Sequence, residues 1–140
     1  MTKRLYHYTS EFHLPVIEDD GVLRLTESNV SLTTAHPREV VWFLDRPLAV
    51  GEEDLHGLAG SMVDKSEIEI TVDIPERAGI RVLPWIPWAL AHPDCEGFWI
   101  SAMVETGGGE ALAGTWWVSL DPVPAEYWTV IRRRSSMPSA

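Results

Sequence analysis

The fold is set by one stretch near the start of the chain, Leu5-Tyr6-His7-Tyr8-Thr9-Ser10. Its aromatic and β-branched residues favour a short strand, and Ser10 is of the type that caps a following turn. Side chains alternate along a strand, so Tyr6 and Tyr8 are predicted on one face and His7 and Thr9 on the other. The strand therefore brings polar groups to its end on whichever face meets a cleft. The alternative is an edge strand whose histidine is simply half exposed.

A short helix and a polar loop are predicted next. The helix runs from Leu14 to Asp19, with a proline tolerated in its first turn and Gly21 closing it in a left-handed conformation. Residues 22–25 read as a short return strand. The hydroxyl-rich stretch 26–37, which contains Ser31, is predicted to be a loop, and loops of that length are more often functional than not.

The rest of the chain alternates between apolar strands and short helices. The predicted strands are Val40–Leu44, Glu67–Ile74, Ile80–Leu83, Thr115–Leu120 and Tyr127–Ile131, and a helix is predicted over Pro84–Pro93. Gly97–Val104 fits a strand or a helix equally well by its period. The strand that starts at Glu67 alternates fully, so we expect Ile68, Ile70 and Val72 on an inner face and charged residues on an outer one. The pattern predicts a mostly antiparallel α+β domain over residues 1–134, followed by a flexible tail at 135–140.

Composition limits the classes of partner. The 140 residues, 45% of them hydrophobic, suffice for one cored domain. The net charge of −10 disfavours nucleic acid, and the basic run Arg132–Arg134 is expected to be the solvated end of the last strand. A single cysteine, Cys95, cannot form an internal disulfide, and no apolar run is long enough to span a membrane. We therefore expect a cytoplasmic protein without a membrane partner.

The sequence does not predict a metal site or a nucleophilic triad. Its five histidines are scattered without metal-ligand spacing, and no Gly-x-Ser-x-Gly turn is present. Cys95 is flanked by Asp94 and Glu96, a setting that disfavours a reactive thiolate. The seven tryptophans exceed what a core of this size needs, so some are expected at a pocket or an interface.

The opening of the chain resembles ADP-ribosyltransferases of the His-Tyr-Glu type. The similar residues are Leu5–Ser10 and the run His13–Leu23, a strand ending in His and Thr, a short helix, a glycine and a return strand. DNA-modifying toxins and rifampin-modifying enzymes of this family begin in the same way. The resemblance covers about the first 45 residues, and the remainder is similar only in the order of its elements. It implies a split antiparallel β-sheet fold with NAD in the cleft between the sheets.

The resemblance also implies roles for individual residues. His7 would bond a ribose hydroxyl, and Tyr8 and Thr9 would hold the nicotinamide end. Trp42 or Phe43 would stack on the nicotinamide, and because neighbours in a strand alternate, one of the two is expected in the core. Breaking the glycosidic bond to nicotinamide builds positive charge on the ribose, so orientation, stacking and a carboxylate suit the reaction.

Two further contacts to the cofactor are predicted with less support from the motif. Arg24 has a guanidinium suited to a pyrophosphate, although it reads equally well as an exposed strand residue. Ser31 lies in the polar loop and is a candidate NAD contact.

The catalytic carboxylate is where the chain departs from the family. A late strand should carry an acidic residue shortly before a turn with valine and proline, and the chain has Trp116 and Trp117 there. Glu126 follows that turn and is the first candidate, with Glu110 and Asp121 as the others. We expect an NAD-dependent mono-ADP-ribosyltransferase with His7 and Glu126 as catalytic residues, acting on a protein or small molecule. The alternative is a degenerate binding module on the same fold that docks a partner protein through a Trp-rich surface.

Overall fold

The computed structural model describes residues 2–27, 39–48, 65–91, 97–106, 109 and 113–134. The strands are β1 (Thr2–Thr9), β2 (Val22–Leu23), β3 (Thr26–Glu27), β4 (Glu39–Leu44), β5 (Ile68–Pro75), β6 (Val82–Pro84), β7 (Trp116–Ser119), β8 (Val123–Pro124) and β9 (Trp128–Arg133). The helices are α1 (Leu14–Asp20), α2 (Trp85–Leu90) and α3 (Gly97–Thr106), and 3-10 turns occupy Glu76–Ala78 and Ala125–Tyr127.

The main sheet has the strand order β6-β7-β4-β1-β5-β9, and β3 pairs with β4 outside this path. β2 and β8 form a separate two-stranded ribbon. Every described pairing is antiparallel. The prediction of a mostly antiparallel α+β fold with few short helices is therefore confirmed.

The sheet buries both of its faces in separate apolar clusters. One cluster contains Tyr8, with Trp85 of α2 and Ile100 of α3. The other contains Leu5 and Phe43, with the ribbon residues Leu23 and Val123, and α1 packs on it. The predicted alternation along β1 is thus confirmed, because Tyr8 and Leu5 lie in opposite layers.

The predicted helix after β1 is confirmed, with Asp20 rather than Asp19 as its last residue. The Ser10 carbonyl accepts hydrogen bonds from the backbone N–H groups of His13 (3.2 Å) and Leu14 (3.1 Å), which starts the turn. At the other end, Gly21 has φ 68°, and its N–H donates to the Ile17 carbonyl at 3.0 Å. Glycine reaches this left-handed conformation without steric strain, so the helix stops there.

Two predictions about strands need correction. The outer face of β5 is not an exposed charged face, because Glu69 and Thr71 are 4% and 8% exposed. β5 lies between β1 and β9 and is covered on both sides, so alternation no longer separates core from solvent. Thr26 and Glu27, predicted as part of a loop, instead form β3 and pair with β4.

The structure resolves two open points of the sequence analysis, the ambiguous stretch Gly97–Val104 and the basic run Arg132–Arg134. Residues 97–106 form a helix. The arginines at the end of β9 are not simply solvated: Arg132 and Arg133 form ion pairs with Glu69 and Glu11. Arg134 donates to the Ser66 carbonyl at 2.8 Å. Within the described ranges, no helix combines the length and apolar character that crossing a membrane requires.

Candidate functional site

The imidazole of His7 lies where β1 separates from β4. β1 pairs with β5 at eight consecutive positions, whereas its described pairing with β4 is confined to Tyr6 and Leu44. At the next residue of β1, the contact with β4 is made by a side chain. His7 Nδ1 lies 2.8 Å from the Trp42 carbonyl oxygen. The ring thus links β1 to β4 next to their described backbone pair.

The chemical state of His7 follows from its surroundings. Burial disfavours the charged imidazolium and lowers the pKa of His7 below its ordinary value of 6.5. The nearby ammonium of Lys65 lowers this pKa further, although the bond to the Trp42 carbonyl acts in the opposite direction. The ring is therefore neutral at neutral pH. A carbonyl only accepts hydrogen bonds, so Nδ1 carries the proton and Nε2 is left as an acceptor.

Tyr8, the next residue, belongs to a row of polar side chains on the opposite face, in which Tyr8 and Glu69 are buried and Arg132 is partly exposed. Its hydroxyl donates to Glu69 Oε2 at 2.7 Å and accepts the backbone N–H of Leu48 at 2.6 Å. The other oxygen of Glu69 accepts two bonds from Arg132, at 3.2 Å and 3.1 Å. We call Tyr8, Glu69 and Arg132 the polar row. Burial and the bond to Glu69 raise the pKa of Tyr8, so its hydroxyl stays protonated.

The side chains of the polar row form hydrogen bonds with one another, so the row stabilises the sheet. It joins β1, β5 and β9 at one level of the sheet and fixes the position of Leu48. Sequence reasoning missed Glu69, because alternation placed it on a solvent face. The signal that could have found it is charge complementarity: an acidic strand, β5, and the basic end of β9 are natural neighbours in a sheet.

The aromatic side chains of β4 point in opposite directions. The Phe43 ring is 2% exposed and meets the His7 ring edge-on, with centroids 5.7 Å apart. The Trp42 ring is half-buried on the other face, 5.4 Å from Trp85 and 6.3 Å from Trp116. Phe43 thus shares the face of His7 and supports its ring from the core, whereas Trp42 belongs to a tryptophan cluster across the sheet.

The tryptophans of β7 occupy the place where the family resemblance calls for a carboxylate. Trp116 is 7% exposed and lies in the tryptophan cluster. Trp117 faces the other layer, where its Nε1 donates to Asp45 at 3.1 Å and the Lys3 ammonium lies 3.9 Å from its ring centroid. Both indoles therefore have structural partners.

The three candidate carboxylates differ in their placement. Glu126 lies in the 3-10 turn before β9, exposed to solvent, and has no ion pair or hydrogen bond with another described residue. Asp121 accepts two bonds from the Arg81 guanidinium, at 3.1 Å and 2.9 Å, and this partner holds the pKa of Asp121 below its ordinary value. Glu110 lies outside the described residues. No described contact links Glu126 or Asp121 to His7.

The remaining predicted NAD contacts are Thr9, Arg24 and Ser31. Thr9 is buried at the end of β1, 6% exposed. Arg24 is on the surface, with a side chain 71% exposed, and forms an ion pair with Asp20 at 2.9 Å. Ser31 lies outside the described residues. Lys65, which sequence reasoning did not single out, is the cation that influences His7.

No protein-family model matches the chain, and no curated protein matches it. In the part of the chain that the structure describes, no three His, Cys, Asp or Glu side chains are grouped so that they could hold a metal ion.

Proposed function

We propose that this chain binds NAD at the end of β1 and transfers its ADP-ribose group to a protein or small-molecule acceptor. The observation that carries the proposal is the hydrogen bond between His7 Nδ1 and the Trp42 carbonyl, which orients the imidazole beside the described pair of β1 and β4. An Nε2 acceptor suits a ribose hydroxyl, which donates a hydrogen bond. The ammonium of Lys65, which acts electrostatically on His7, adds positive charge that suits a pyrophosphate.

The proposed reaction requires the chain to position the ribose and to stabilise positive charge on it. The bond between the ribose C1′ and the nicotinamide nitrogen breaks, nicotinamide leaves with the bonding electrons, and the nucleophilic atom of the acceptor bonds to C1′ as it loses its proton. His7 would hold the ribose in position, and a carboxylate would stabilise the positive charge that develops on it. We assign the carboxylate to Glu126, whose exposed side chain is not engaged by another described residue.

Calorimetric titration of NAD into the protein tests the binding step. His7→Asn is the informative variant, because an amide can still donate to the Trp42 carbonyl but has no group in the place of Nε2. We expect His7→Asn to keep the fold and to weaken NAD binding by about tenfold or more, the cost of one hydrogen bond to a ligand. Equal affinity in the wild-type and His7→Asn proteins would contradict the proposal.

A second candidate function is binding without transfer. It is favoured by Trp116 and Trp117, which stand where the family resemblance calls for the carboxylate. Release of nicotinamide from NAD separates the two candidates. Release that is lost in Glu126→Gln and retained in Glu76→Gln, a matched exposed 3-10 carboxylate, supports the transferase. NAD binding without release supports the binding module.

A further inference from the structure

β9 forms one end of the main sheet. In the described part of the sheet it pairs with β5 and with no other strand. Two consecutive side chains in the middle of β9, Val130 and Ile131, point to opposite faces and are 53% and 42% exposed. Both faces of the sheet are therefore exposed here. We call the side of β9 that faces away from β5 the open edge.

The opposite end of the sheet is protected in a way that the open edge is not. β6 has three residues, the last of which is Pro84, and α2 begins at the next residue. A short strand and a proline without an N–H both limit pairing with another chain. β9 has six residues, none of them proline. The open edge is thus the end of the sheet at which a further strand could add.

The backbone of β9 directs alternate residues toward the open edge. The Arg134 N–H donates to the carbonyl of Glu67, just before β5, at 2.7 Å, and Arg132 pairs with Glu69. In an antiparallel ladder, residues that bond to one neighbour alternate with residues whose backbone groups face away from it. The N–H and C=O groups of Ile131 therefore point away from β5, toward the open edge.

Charge does not oppose contact between two copies at this edge. The four residues 128–131 are uncharged. Arg132 and Arg133 form ion pairs with Glu69 and Glu11 of the same chain. The middle of β9 thus presents no excess of one sign, and exposed charges more than about 10 Å away are largely screened at 0.1 M salt. An acidic partner strand gains little here, because these two arginines already have carboxylate partners.

We propose that the open edge binds the open edge of a second copy of this chain, with the two β9 strands antiparallel about a two-fold axis at Ile131. Strands join in this way when residues with outward-facing backbone groups oppose one another, and Ile131 meets that condition by pairing with itself. The two isoleucines would lie side by side on one face and cover each other's exposed side chains. This dimer goes beyond the proposed function and does not depend on NAD binding.

Two other registers are less favourable than the axis at Ile131. Ile131 opposite Arg133 would place the two copies of Arg132 directly opposite each other, and like charges at opposed positions destabilise a sheet. Ile131 opposite Thr129 would centre the pairing closer to the irregular part of β9, where its register with β5 shifts between Thr71 and Val72. The axis at Ile131 avoids the first conflict and limits the second.

Sedimentation velocity of the full-length protein at rising concentration tests the proposal, and we expect a reversible equilibrium between monomer and dimer. Ile131→Pro removes an N–H that points away from β5, a position at which an edge strand tolerates proline. It should weaken dimerisation about thirtyfold, because two backbone hydrogen bonds at the axis are lost. Leu90→Ser is the control, since Leu90 is 53% exposed on α2, and it should leave the equilibrium unchanged.

A cysteine at the axis gives a second readout that does not depend on proline. With Cys95→Ser as background, Ile131→Cys should form a disulfide between two copies, because the Cα atoms of such an opposed pair lie about 5.5 Å apart. Leu90→Cys is the matched control and should cross-link far more slowly.

Thermal unfolding shows whether Ile131→Pro retains the fold, and if it does not, the two cysteine variants decide. The proposal is overturned if the wild-type protein stays monomeric at every concentration. It is also overturned if folded Ile131→Pro dimerises as tightly as wild type, or if Leu90→Cys cross-links as fast as Ile131→Cys.

Discussion

Two neighbouring rows of side chains cross the same three strands, and they differ in what they leave for a ligand. The polar row, Tyr8, Glu69 and Arg132, bonds to itself: the hydroxyl, both carboxylate oxygens and the guanidinium are engaged. The adjacent row contains His7, Ile70 and Ile131 at paired positions of the same strands. Its only polar side chain is the imidazole, which bonds outward to β4 through one of its two nitrogens.

The difference shows why burial of a polar group does not by itself indicate a binding site. A buried carboxylate with all its partners in place stabilises one arrangement of strands and has little capacity left for a ligand. A half-buried neutral imidazole with one nitrogen bonded to the backbone is oriented but keeps an acceptor. By this criterion His7 is the better candidate for function and Glu69 for stability.

The largest expected effect comes from breaking the polar row at its centre. Glu69→Ala removes the acceptor of the buried Tyr8 hydroxyl and the ion-pair partner of Arg132, so the free energy of unfolding should fall by about 3 kcal/mol. Urea denaturation measures this loss of unfolding free energy. The control is Asp73→Ala, which removes the carboxylate of a solvent-exposed pair with Arg4 on the same strands and should leave the unfolding midpoint nearly unchanged. Equal effects of the two variants would show that Glu69 is not a special position.

A smaller loss is expected at the end of the polar row. Tyr8→Phe deprives Glu69 of a donor and the Leu48 N–H of its acceptor, which should lower the free energy of unfolding by about 2 kcal/mol. Tyr6→Phe removes the same hydroxyl from a half-buried ring on the same face of β1 and should cost no more than about 0.5 kcal/mol. If the two variants unfold at the same urea concentration, the polar row does not hold β1 in place.

The smallest expected effect is the contribution of His7 to the pH dependence of stability. Its pKa is lower in the folded protein than its ordinary value of 6.5. Below that pH the unfolded chain takes up a proton that the folded protein does not, so stability is complete above it and falls as the pH drops. The slope from one such group is at most about 1.4 kcal/mol per pH unit.

Urea denaturation of wild type and His7→Asn across this pH range isolates that contribution. The wild-type slope should be steeper than that of His7→Asn, whereas His13→Asn should keep the His7 contribution. Identical slopes in wild type and His7→Asn would mean that the His7 ring titrates as it does in the unfolded chain.

Much of the candidate site could be predicted from local pattern. The strand ending in His7 and Thr9, the helix closed by Gly21 and the strand of Trp42 and Phe43 each depend on alternation, capping and turn chemistry that neighbouring residues determine. The split between Trp42 and Phe43 was also predictable as an alternation. Alternation does not predict which residues surround each face of the strand. The burial of Phe43, which is 2% exposed, and the tryptophan cluster around Trp42 depend on tertiary packing.

The amino-acid sequence by itself determined most of the longer strands, the helix α1, the antiparallel α+β class and the two faces of β1, because these follow from the chemistry of adjacent residues. Only the tertiary structure decided that Glu69 is buried, that Arg132 pairs with it and that β1 parts from β4 beside His7. These depend on which strands become neighbours, and partners such as Glu69 and Arg132, far apart in the chain, meet only when the whole sheet forms.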